Sequence, residues 1–497
     1  MAEPHQLGVV AAGHPRTAQA GADVLREGGN AVDAAIGAMV VSFACEPLLT
    51  GLGAGGYMLV VAPDGDRTLL DFFVEAPGHG ADPSARGELV PIDVSFGDAI
   101  QVFNIGEASV GCYGVPAGLC EASTRFGRIA LAELVVPAAR LARDGVELNR
   151  EQAYVIEILE GIVTATAETR ALFAPEGHVL HAGELIRQPE LADALERLGS
   201  EGAAPFYRGD IAAAIVERVS GHGGILTAED LAAYEVVERD PVRVPYRGLE
   251  VLTNAPPSAG GILIAHALAL LDERPGPPTI DAIVAVMERT QNERTPEFLE
   301  GLSDPEFVQR FLGGSGKLGS TTHIAVLDLE GWACSVTCSN GEGAGIVVPG
   351  TGMHLNNMLG EQDLNPLGFH RHPPGRRLPS MMAPTIALRD GVPRLALGSA
   401  GSNRIRSAIL QTIVRVVDDG LRAPEAVCAP RVHFEDDVVY AEPGVDVSGL
   451  EAAGRSIGRF RELNLFFGGV QAVERDEDGR FWGGGDPRRG GAAIVVA

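Results

Sequence analysis

Basic residues, cysteines and long apolar runs are all scarce in this chain of 497 residues. Lys and Arg together number 39 against 66 Asp and Glu, which gives a formal net charge of −27 at pH 7. Nucleic acids and anionic membrane surfaces are bound by basic faces, so this balance argues against both as partners. We interpret the acidic surface as a well-solvated one.

No apolar run reaches the roughly 18 residues that a membrane-spanning helix needs. The first eight residues contain neither the basic n-region nor the apolar core of a secretory signal peptide. The sequence therefore predicts a cytoplasmic protein with no membrane partner.

The six cysteines show no zinc-type spacing, and Cys334 and Cys338 lie at an even offset in one predicted strand, as core residues do. His370 and His372 form a His-x-His pair beyond His354. No neighbouring ligands complete a four-ligand set, so we interpret these histidines as solvated loop residues. We expect neither a metal nor another cofactor.

The order of predicted elements favours an α+β fold. Residues 16–27 and 31–43 have helical patterns, whereas residues 57–62 and 68–73 read as a hairpin turning at Asp64 and Gly65. Residues 110–320 look mainly helical, and strand patterns dominate from Thr321 onward. The length suits one large domain or two to three smaller ones.

A glycine loop at residues 50–56 satisfies the G-x-G-x-x-G pattern through Gly51, Gly53 and Gly56, with Asp71 twenty residues after the first glycine. A dinucleotide-binding loop follows a strand and opens a helix. Here the predicted order is helix, loop, strand, so the pattern argues against a nucleotide site.

Two threonines, Thr321 and Thr322, stand directly before an apolar strand pattern at residues 324–327. Threonine is a common strand residue, so the pair alone indicates little. The chemically sharper hypothesis is self-cleavage before Thr321, which would leave a hydroxyl nucleophile activated by its own α-amine.

The ordered motifs on both sides of these threonines resemble the gamma-glutamyltranspeptidase family. The resemblance begins near residue 8 and runs to the C-terminus. In chain order the matching segments are 28–35, 46–47, 50–56, 114–118, 137–142, 206–209, 230–234, 256–261, 321–323, 349–352, 355–357, 382–385 and 398–401.

The resemblance implies a four-layer αββα N-terminal-nucleophile hydrolase sandwich, with one domain built from two processed chains. Cleavage between Ser320 and Thr321 would separate a large segment, 1–320, from a small segment, 321–497. The two chains would form a heterodimer, of which a higher oligomer is possible. It would act on a small-molecule substrate, with water or an amine as acyl acceptor.

The resemblance also implies roles for individual residues. Thr321 would be the nucleophile, and Ser339 the hydroxyl that steadies its α-amine, with Thr322 beside the nucleophile. The backbone amides of Gly401 and Ser402 would stabilise the oxyanion. Asn340 would contact substrate, although a two-residue deletion nearby leaves its alignment open.

Three positions depart from the family pattern where the glutamyl α-amino acid is held. Phe73 replaces the arginine that binds the α-carboxylate, Glu361 stands at the position of the amine-binding acid, and Pro379-Ser380 replaces a serine pair. A phenylalanine cannot supply the bidentate recognition of a guanidinium. We therefore expect Phe73, Glu361 and Ser380 to line a pocket whose altered shape and charge suit a non-glutamyl substrate.

Other cations and other activities stay open from the sequence. Arg404 and the pair Arg376-Arg377 are alternative partners for a substrate carboxylate. Alternative activities are carbon–carbon cleavage beside an oxalyl group, genuine gamma-glutamyl transfer or hydrolysis, and a non-catalytic, unprocessed binding protein. Retention of Thr321, Ser339 and Gly401 argues against the last.

Overall fold

A computed structural model describes residues 6–95, 100–292, 302, 321–362, 364–365, 368–401 and 403–497. Two antiparallel sheets lie face to face, with helices on the outer face of each. The expected α+β, four-layer αββα architecture is confirmed.

Seventeen α-helices lie within the described ranges. They are α1 Pro15–Arg26, α2 Ala31–Cys45, α3 Val115–Phe126, α4 Leu131–Leu134, α5 Val136–Asp144, α6 Arg150–Ile158, α7 Glu160–Val163, α8 Ala167–Phe173, α9 Pro189–Glu201, α10 Ala204–Tyr207, α11 Asp210–Ser220, α12 Ala228–Ala233, α13 Ala259–Asp272, α14 Ile280–Asn292, α15 Arg404–Val417, α16 Ala423–Cys428 and α17 Ser448–Ala452.

The same ranges contain 22 strands. They are β1 Gly8–Ala12, β2 Gly55–Val61, β3 Arg67–Phe72, β4 Val90–Ser95, β5 Ile100–Ile105, β6 Val146–Glu147, β7 Leu185–Ile186, β8 Val237–Arg239, β9 Val242–Tyr246, β10 Leu249–Thr253, β11 Thr322–Asp328, β12 Ala333–Ser339, β13 Val347–Val348, β14 Met353–His354, β15 Thr385–Arg389, β16 Val392–Ala400, β17 Val432–Glu435, β18 Val438–Ala441, β19 Ser456–Arg459, β20 Gly469–Arg475, β21 Phe481–Gly485 and β22 Ala492–Val496.

The first sheet has the order β22-β1-β11-β12-β2-β3-β8, and the second has the order β21-β20-β16-β15-β10-β9. Strand β1, from the start of the chain, pairs on both sides with strands from beyond residue 320, namely β11 and β22. Both sheets therefore combine strands from before and after the proposed cleavage point.

The alternation of side chains along β11 assigns its two faces. Ile324 and Val326 pack into the core shared with the helices α1 and α2, whereas Ala325 and Leu327 lie in the core between the sheets. Successive strand residues point to opposite faces. The second sheet packs its outer face against α13 and α15 in a separate apolar cluster.

Helix α2 begins at a capping box and is buried along its whole length. The Asn30 side chain accepts the N–H groups of Val32 and Asp33, and the Asp33 carboxylate accepts the Asn30 N–H. These bonds satisfy donors that a helix start leaves unpaired. Many small side chains let this helix lie directly on the first sheet, and Glu46 ends it at the edge where β11 begins.

Several strands were not predicted from the sequence. The region assigned as mainly helical also contains β8, β9 and β10, and the terminal strand β1 was missed. The strand patterns predicted at residues 57–62, 68–73 and 324–327 agree with β2, β3 and β11 within a few residues. None of the helices in the described ranges is long and apolar enough to cross a membrane.

Candidate active site

Thr321 lies at the head of β11, directly opposite Ser339 at the end of β12. The register pairs Thr322 with Cys338, so its continuation by one residue pairs Thr321 with Ser339. Paired residues share a face and have Cβ atoms about 5 Å apart. Thr321 is 1% exposed, and its Oγ1 has no hydrogen-bond partner among the described residues.

The turn after Ser339 holds two of the predicted substrate-binding residues near this hydroxyl. Gly341 donates its N–H to Ser339 Oγ at 2.8 Å, and the Asn340 N–H donates to the Leu49 carbonyl at 3.1 Å. A Cβ placed on Gly341 would lie 2.1 Å from Glu361 Oε1. Ser339, Asn340 and Glu361 are therefore brought together, as expected for one site.

Gly401 follows β16, on the neighbouring sheet. Its φ is +109°, and a Cβ there would lie 2.8 Å from the α-carbon of Gly468, so only glycine fits. The His323 ring lies against Gly398, which joins the start of β11 to the end of β16. The other proposed oxyanion donor, Ser402, and the cleavage residue Ser320 lie outside the described residues.

Glu46, at the end of α2, contacts the residue after the proposed nucleophile. Its Oε2 accepts the Thr322 hydroxyl at 2.8 Å, and its Oε1 accepts the Thr17 hydroxyl at 3.2 Å. Burial raises the pKa of this carboxyl to about 7, opposed by the two hydroxyl donors and by the charge of Arg489. The sequence placed Glu46 in a family motif but indicated no role for it.

Arg489 could not be predicted as a site residue, because no local pattern in the sequence distinguishes it from the other arginines of the chain. Its side chain lies across Gly469 and Gly401, and a Cβ on Gly401 would be 3.2 Å from Arg489 Nη2. Its Nε is buried without a hydrogen-bond partner among the described residues. Desolvation and the nearby Arg404 lower its pKa to about 10. It also lines a cavity of about 350 Å³, together with Leu49.

Phe73, at the position of the family's arginine, lies between the two sheets. Its ring stacks on Tyr57 with centroids 5.3 Å apart, and it is fully buried. The ring belongs to the intersheet core, and its contact with a substrate stays a prediction.

The alternative cations named from the sequence have structural partners. Arg377 lies 3.4 Å from Asp71 Oδ1 and 3.3 Å from Glu75 Oε1, and its Nη1 donates to the Phe73 carbonyl. Arg404 donates Nε to the Phe466 carbonyl, with its guanidinium 4.7 Å from that ring's centroid. The charge of Arg377 is therefore already paired within the protein, which argues against Arg377 as the partner of a substrate carboxylate.

Ser380 is buried, and its role is in part structural. Its Oγ accepts the Met382 N–H at 3.0 Å, while its carbonyl accepts the Ser258 hydroxyl at 2.9 Å. These bonds tie the segment to the start of α13. The predicted contact of Ser380 with substrate stays a prediction.

The interpretation of His354 as a solvated loop residue is wrong. It lies in β14 and is only 8% exposed, because the turn at Gly343 packs on its ring. Burial lowers its pKa to about 4. Across the described ranges no three His, Cys, Asp or Glu residues are grouped to hold a metal.

The glycine loop lies between α2 and β2, which is the order that the sequence predicted. A Cβ on Gly53 would lie 2.4 Å from the His354 carbonyl oxygen, so this glycine permits a close approach of two backbones. Asp71 instead accepts Arg239 Nε at 2.7 Å. The loop therefore serves packing at the site's edge.

Comparisons with known proteins agree with this architecture. A family model described as Gamma-glutamyltranspeptidase matches residues 17–314 and 286–496. The glutathione hydrolase proenzyme of Escherichia coli (strain K12) is 32% identical, over 97% of this chain and 90% of that protein. The acylase ACY 1 proenzyme of Pseudomonas sp. (strain SE83) is 30% identical, over 99% of this chain and 94% of that protein.

Among solved structures, a cephalosporin acylase from Bacillus halodurans superposes with a TM-score of 0.83 at 27% identity, covering 99% of this chain and 96% of that chain. The fold is that of N-terminal-nucleophile hydrolases. The family model and the relatives span nearly the whole chain. This chain therefore belongs to the gamma-glutamyltranspeptidase family of hydrolases and acyltransferases.

Proposed function

We propose that this enzyme is a self-processing threonine hydrolase or acyltransferase that cleaves an amide-type bond of a non-glutamyl substrate. The observation that carries the proposal is the position of Thr321, whose hydroxyl is buried at the head of β11 and opposite Ser339. Cleavage of the Ser320–Thr321 bond would free an α-amine beside that hydroxyl. The relatives named as proenzymes support such processing.

In the proposed reaction the α-amine of Thr321 accepts the hydroxyl proton as Oγ1 attacks the substrate carbonyl. The reference pKa of an α-amine, about 7.7–8.0, suits this exchange near neutral pH. The Gly401 N–H would donate to the developing oxyanion, with Ser402 as the second donor. The ammonium then protonates the leaving amine, and water or an amine takes the acyl group from Thr321.

The proposal of altered specificity is supported by the residue at the position of the family's arginine. Phe73 offers no charge to an α-carboxylate, and Arg377 is held by Asp71 and Glu75. The name of the Pseudomonas relative favours an acylase, whereas that of the Escherichia coli relative favours a glutathione hydrolase. Turnover of a panel of substrates distinguishes an acylase from a glutathione hydrolase.

Purified enzyme is incubated with a gamma-glutamyl anilide, acyl amides with apolar and with dicarboxylic acyl groups, and an oxalyl compound. We expect turnover of an acyl amide, with the glutamyl anilide slower by at least about a hundredfold, since a bidentate ion pair to the α-carboxylate is missing. The variant T321A serves as the control and should turn over nothing. Preference for the glutamyl anilide would refute the altered specificity, and activity in T321A would refute the nucleophile.

A further inference from the structure

The carboxyl group of Glu46 accepts hydrogen bonds from hydroxyl groups on two separate elements. Thr17 of α1 donates to one carboxylate oxygen, and Thr322 at the start of β11 donates to the other. Gly13 leaves room for this arrangement, because a Cβ there would lie 2.5 Å from Glu46 Oε2 and 3.0 Å from Thr322 Oγ1. The carboxylate thus joins the end of α2 to α1 and to the proposed catalytic strand.

Thr322 points away from the reacting face. Ile324 and Val326, which share its face, pack towards the helices, whereas Thr321 shares a face with Ala325 between the sheets. Glu46 therefore contacts β11 on the face that packs against the helices, opposite to the face of Thr321. After cleavage Thr321 would be a chain terminus, and termini fray unless something ties them down.

The charged surroundings of Glu46 come from each element packed against it. Arg489 is the cation that acts on its carboxylate, and the buried thiols of Cys45 on α2 and Cys338 on β12 also interact with it. The first turn of α1 contributes Arg16, and His14 is the residue that caps it. Burial and Arg16 lower the pKa of His14 to about 4, so His14 is neutral near pH 7.

We propose that Glu46 is a positioning residue that holds Thr322, and with it the new amino terminus at Thr321, in place for the reaction. The inference rests on the proposed function of Thr321. Glu46 forms and breaks no covalent bond. Its carboxyl group accepts the Thr322 hydroxyl, and above its pKa of about 7 its negative charge would stabilise the protonated form of the α-amine at the neighbouring residue. The substitution E46Q would keep the shape of the side chain but remove that charge.

The first test removes the Thr322 hydroxyl and leaves the strand intact. Full-length chain made in a cell-free system is moved into buffers between about pH 5.5 and pH 9, and its two processing products are followed by denaturing electrophoresis. We expect T322V to process at least about tenfold more slowly than wild type, because a hydrogen bond to a carboxylate is lost. T322S keeps a hydroxyl and should stay within about threefold of wild type.

The control S42A removes another buried hydroxyl in α2. Ser42 donates to the Met39 carbonyl of its own helix, so its loss reports general damage to α2. S42A should process at the wild-type rate. Equal slowing of S42A and T322V, or a T322V rate equal to that of T322S at every pH, would overturn the proposal.

The second test uses E46Q and a readout that a purely structural role would not move. Removing a negative charge near an amine favours the neutral amine, so the acid limb of kcat/KM, measured on the processed enzyme with an amide that it turns over, should move to lower pH by about half a unit or more. The processing rate cannot report on this amine, because it is part of the Ser320–Thr321 peptide bond until the chain is cleaved. An E46Q limb that coincides with the wild-type limb overturns the proposal.

These results are separable from failure of the proposed function. If the wild-type chain never cleaves at Thr321 and T321A behaves identically, the nucleophile itself is wrong. If the wild type cleaves normally, T322V matches its processing rate and E46Q matches its kcat/KM at every pH, only the role of Glu46 is wrong.

Discussion

The hydroxyl of Ser339 is the side chain that faces Thr321 across the two central strands. Its Oγ accepts the Gly341 N–H, which holds the hydroxyl in one orientation, and we propose that it contacts the α-amine that cleavage would free at Thr321. A Ser339 hydroxyl held in this orientation can raise the rate of the proposed reaction by positioning the reacting group, and removing the hydroxyl would remove that contribution. The proposed reaction should therefore be sensitive to substitution of this single side chain.

We predict that S339A lowers kcat by roughly 10²-fold and changes KM little, because the lost contact orients the reacting amine rather than the substrate. S339T keeps a hydroxyl in a strand and should retain more than about a tenth of the wild-type kcat. The measurement is steady-state kinetics on the preferred amide. Equal activity in S339A and wild type would remove Ser339 from the mechanism.

Restoring the family's arginine at position 73 is expected to fail. Phe73 is fully buried against Tyr57, and Arg377 already donates to the Phe73 carbonyl, so F73R would place a second cation beside the first. A buried unpaired charge costs several kcal/mol. We predict a loss of at least about 3 kcal/mol in unfolding free energy and no gain of gamma-glutamyl turnover.

The control for F73R is F73L, which keeps the site apolar and should cost about 1–2 kcal/mol from lost contacts. Both variants are compared with wild type by denaturant unfolding. A stable F73R that hydrolyses a gamma-glutamyl anilide would show that one substitution had redirected specificity.

The residues that matter most here differ in how visible they are in the sequence. Thr321 and Gly401 stand in segments that match family motifs and Ser339 matches a family position, so the resemblance could name all three from the sequence. Glu46 could not be given a role, because its partner Thr322 is 276 positions away. Arg489 acquires its place only when the second sheet sets it against Gly401.

At the scale of elements, Asp328 ties the end of β11 to the start of α2. Its Oδ2 accepts the Ala31 N–H at 2.9 Å, and its Oδ1 accepts the Trp332 N–H at 2.9 Å. One of these donors belongs to the first turn of a helix, where no intrahelical partner exists. The same strand is thus fixed at one end by Glu46 and at the other by Asp328.

We predict that D328A lowers the free energy of unfolding by about 2 kcal/mol, because one buried and one partly buried N–H group lose their acceptor. The matched control is E330A in the same turn, where an exposed pair with Arg128 is lost and less than about 1 kcal/mol is expected. Denaturant unfolding measures both. A larger loss in E330A than in D328A would refute this account of the strand's end.

The elements themselves were predictable where one pattern dominates. Strand β12 alternates apolar and small polar residues, β2 and β3 are short apolar runs joined by a turn at Asp64 and Gly65, and α2 has a cap and a helical composition. Strand β1 is five buried residues long, and β21 has the sequence FWGGG, so neither shows an alternation that a local pattern could detect. Their pairing with distant strands determines their conformation.

For the whole molecule, buried titratable groups determine how stability varies with pH. Burial lowers the pKa of His14, His354 and His433 to about 4 and that of His323 to about 3. Their contribution is present above the unfolded pKa of about 6.5 and is lost as the pH falls through the folded values.

Two buried carboxyls act in the opposite direction. Burial raises the pKa of Glu46 to about 7 and that of Asp328 to about 6. Their stabilisation is full below their unfolded values and is lost as the pH rises through about 6 to 7. The four histidines outnumber these carboxyls, so acid should destabilise the fold.

We predict that unfolding near pH 5.5 takes up about two protons net, and that stability falls by about 3 kcal/mol or more between pH 7 and pH 5. Calorimetry in buffers of different ionisation enthalpy, at moderate salt, measures both quantities. Proton release on unfolding near pH 5.5 would contradict the assignment of the buried histidines as neutral.

The proposed division of the chain into 1–320 and 321–497 is a property of the whole molecule. Both sheets use strands from both segments, so the two products should stay together as one body after cleavage. This interleaving explains why the sequence shows helix-rich and strand-rich halves although neither is a separate sandwich. Denaturing conditions are needed to reveal two chains.

The most direct test of the central claim is the intact mass of the purified protein, with sequencing of the new amino terminus. We predict two chains under denaturing conditions, the smaller beginning at Thr321, and a single unprocessed, inactive 51.9 kDa chain for T321A. A catalytically active wild-type enzyme that keeps its Ser320–Thr321 bond intact would contradict the account.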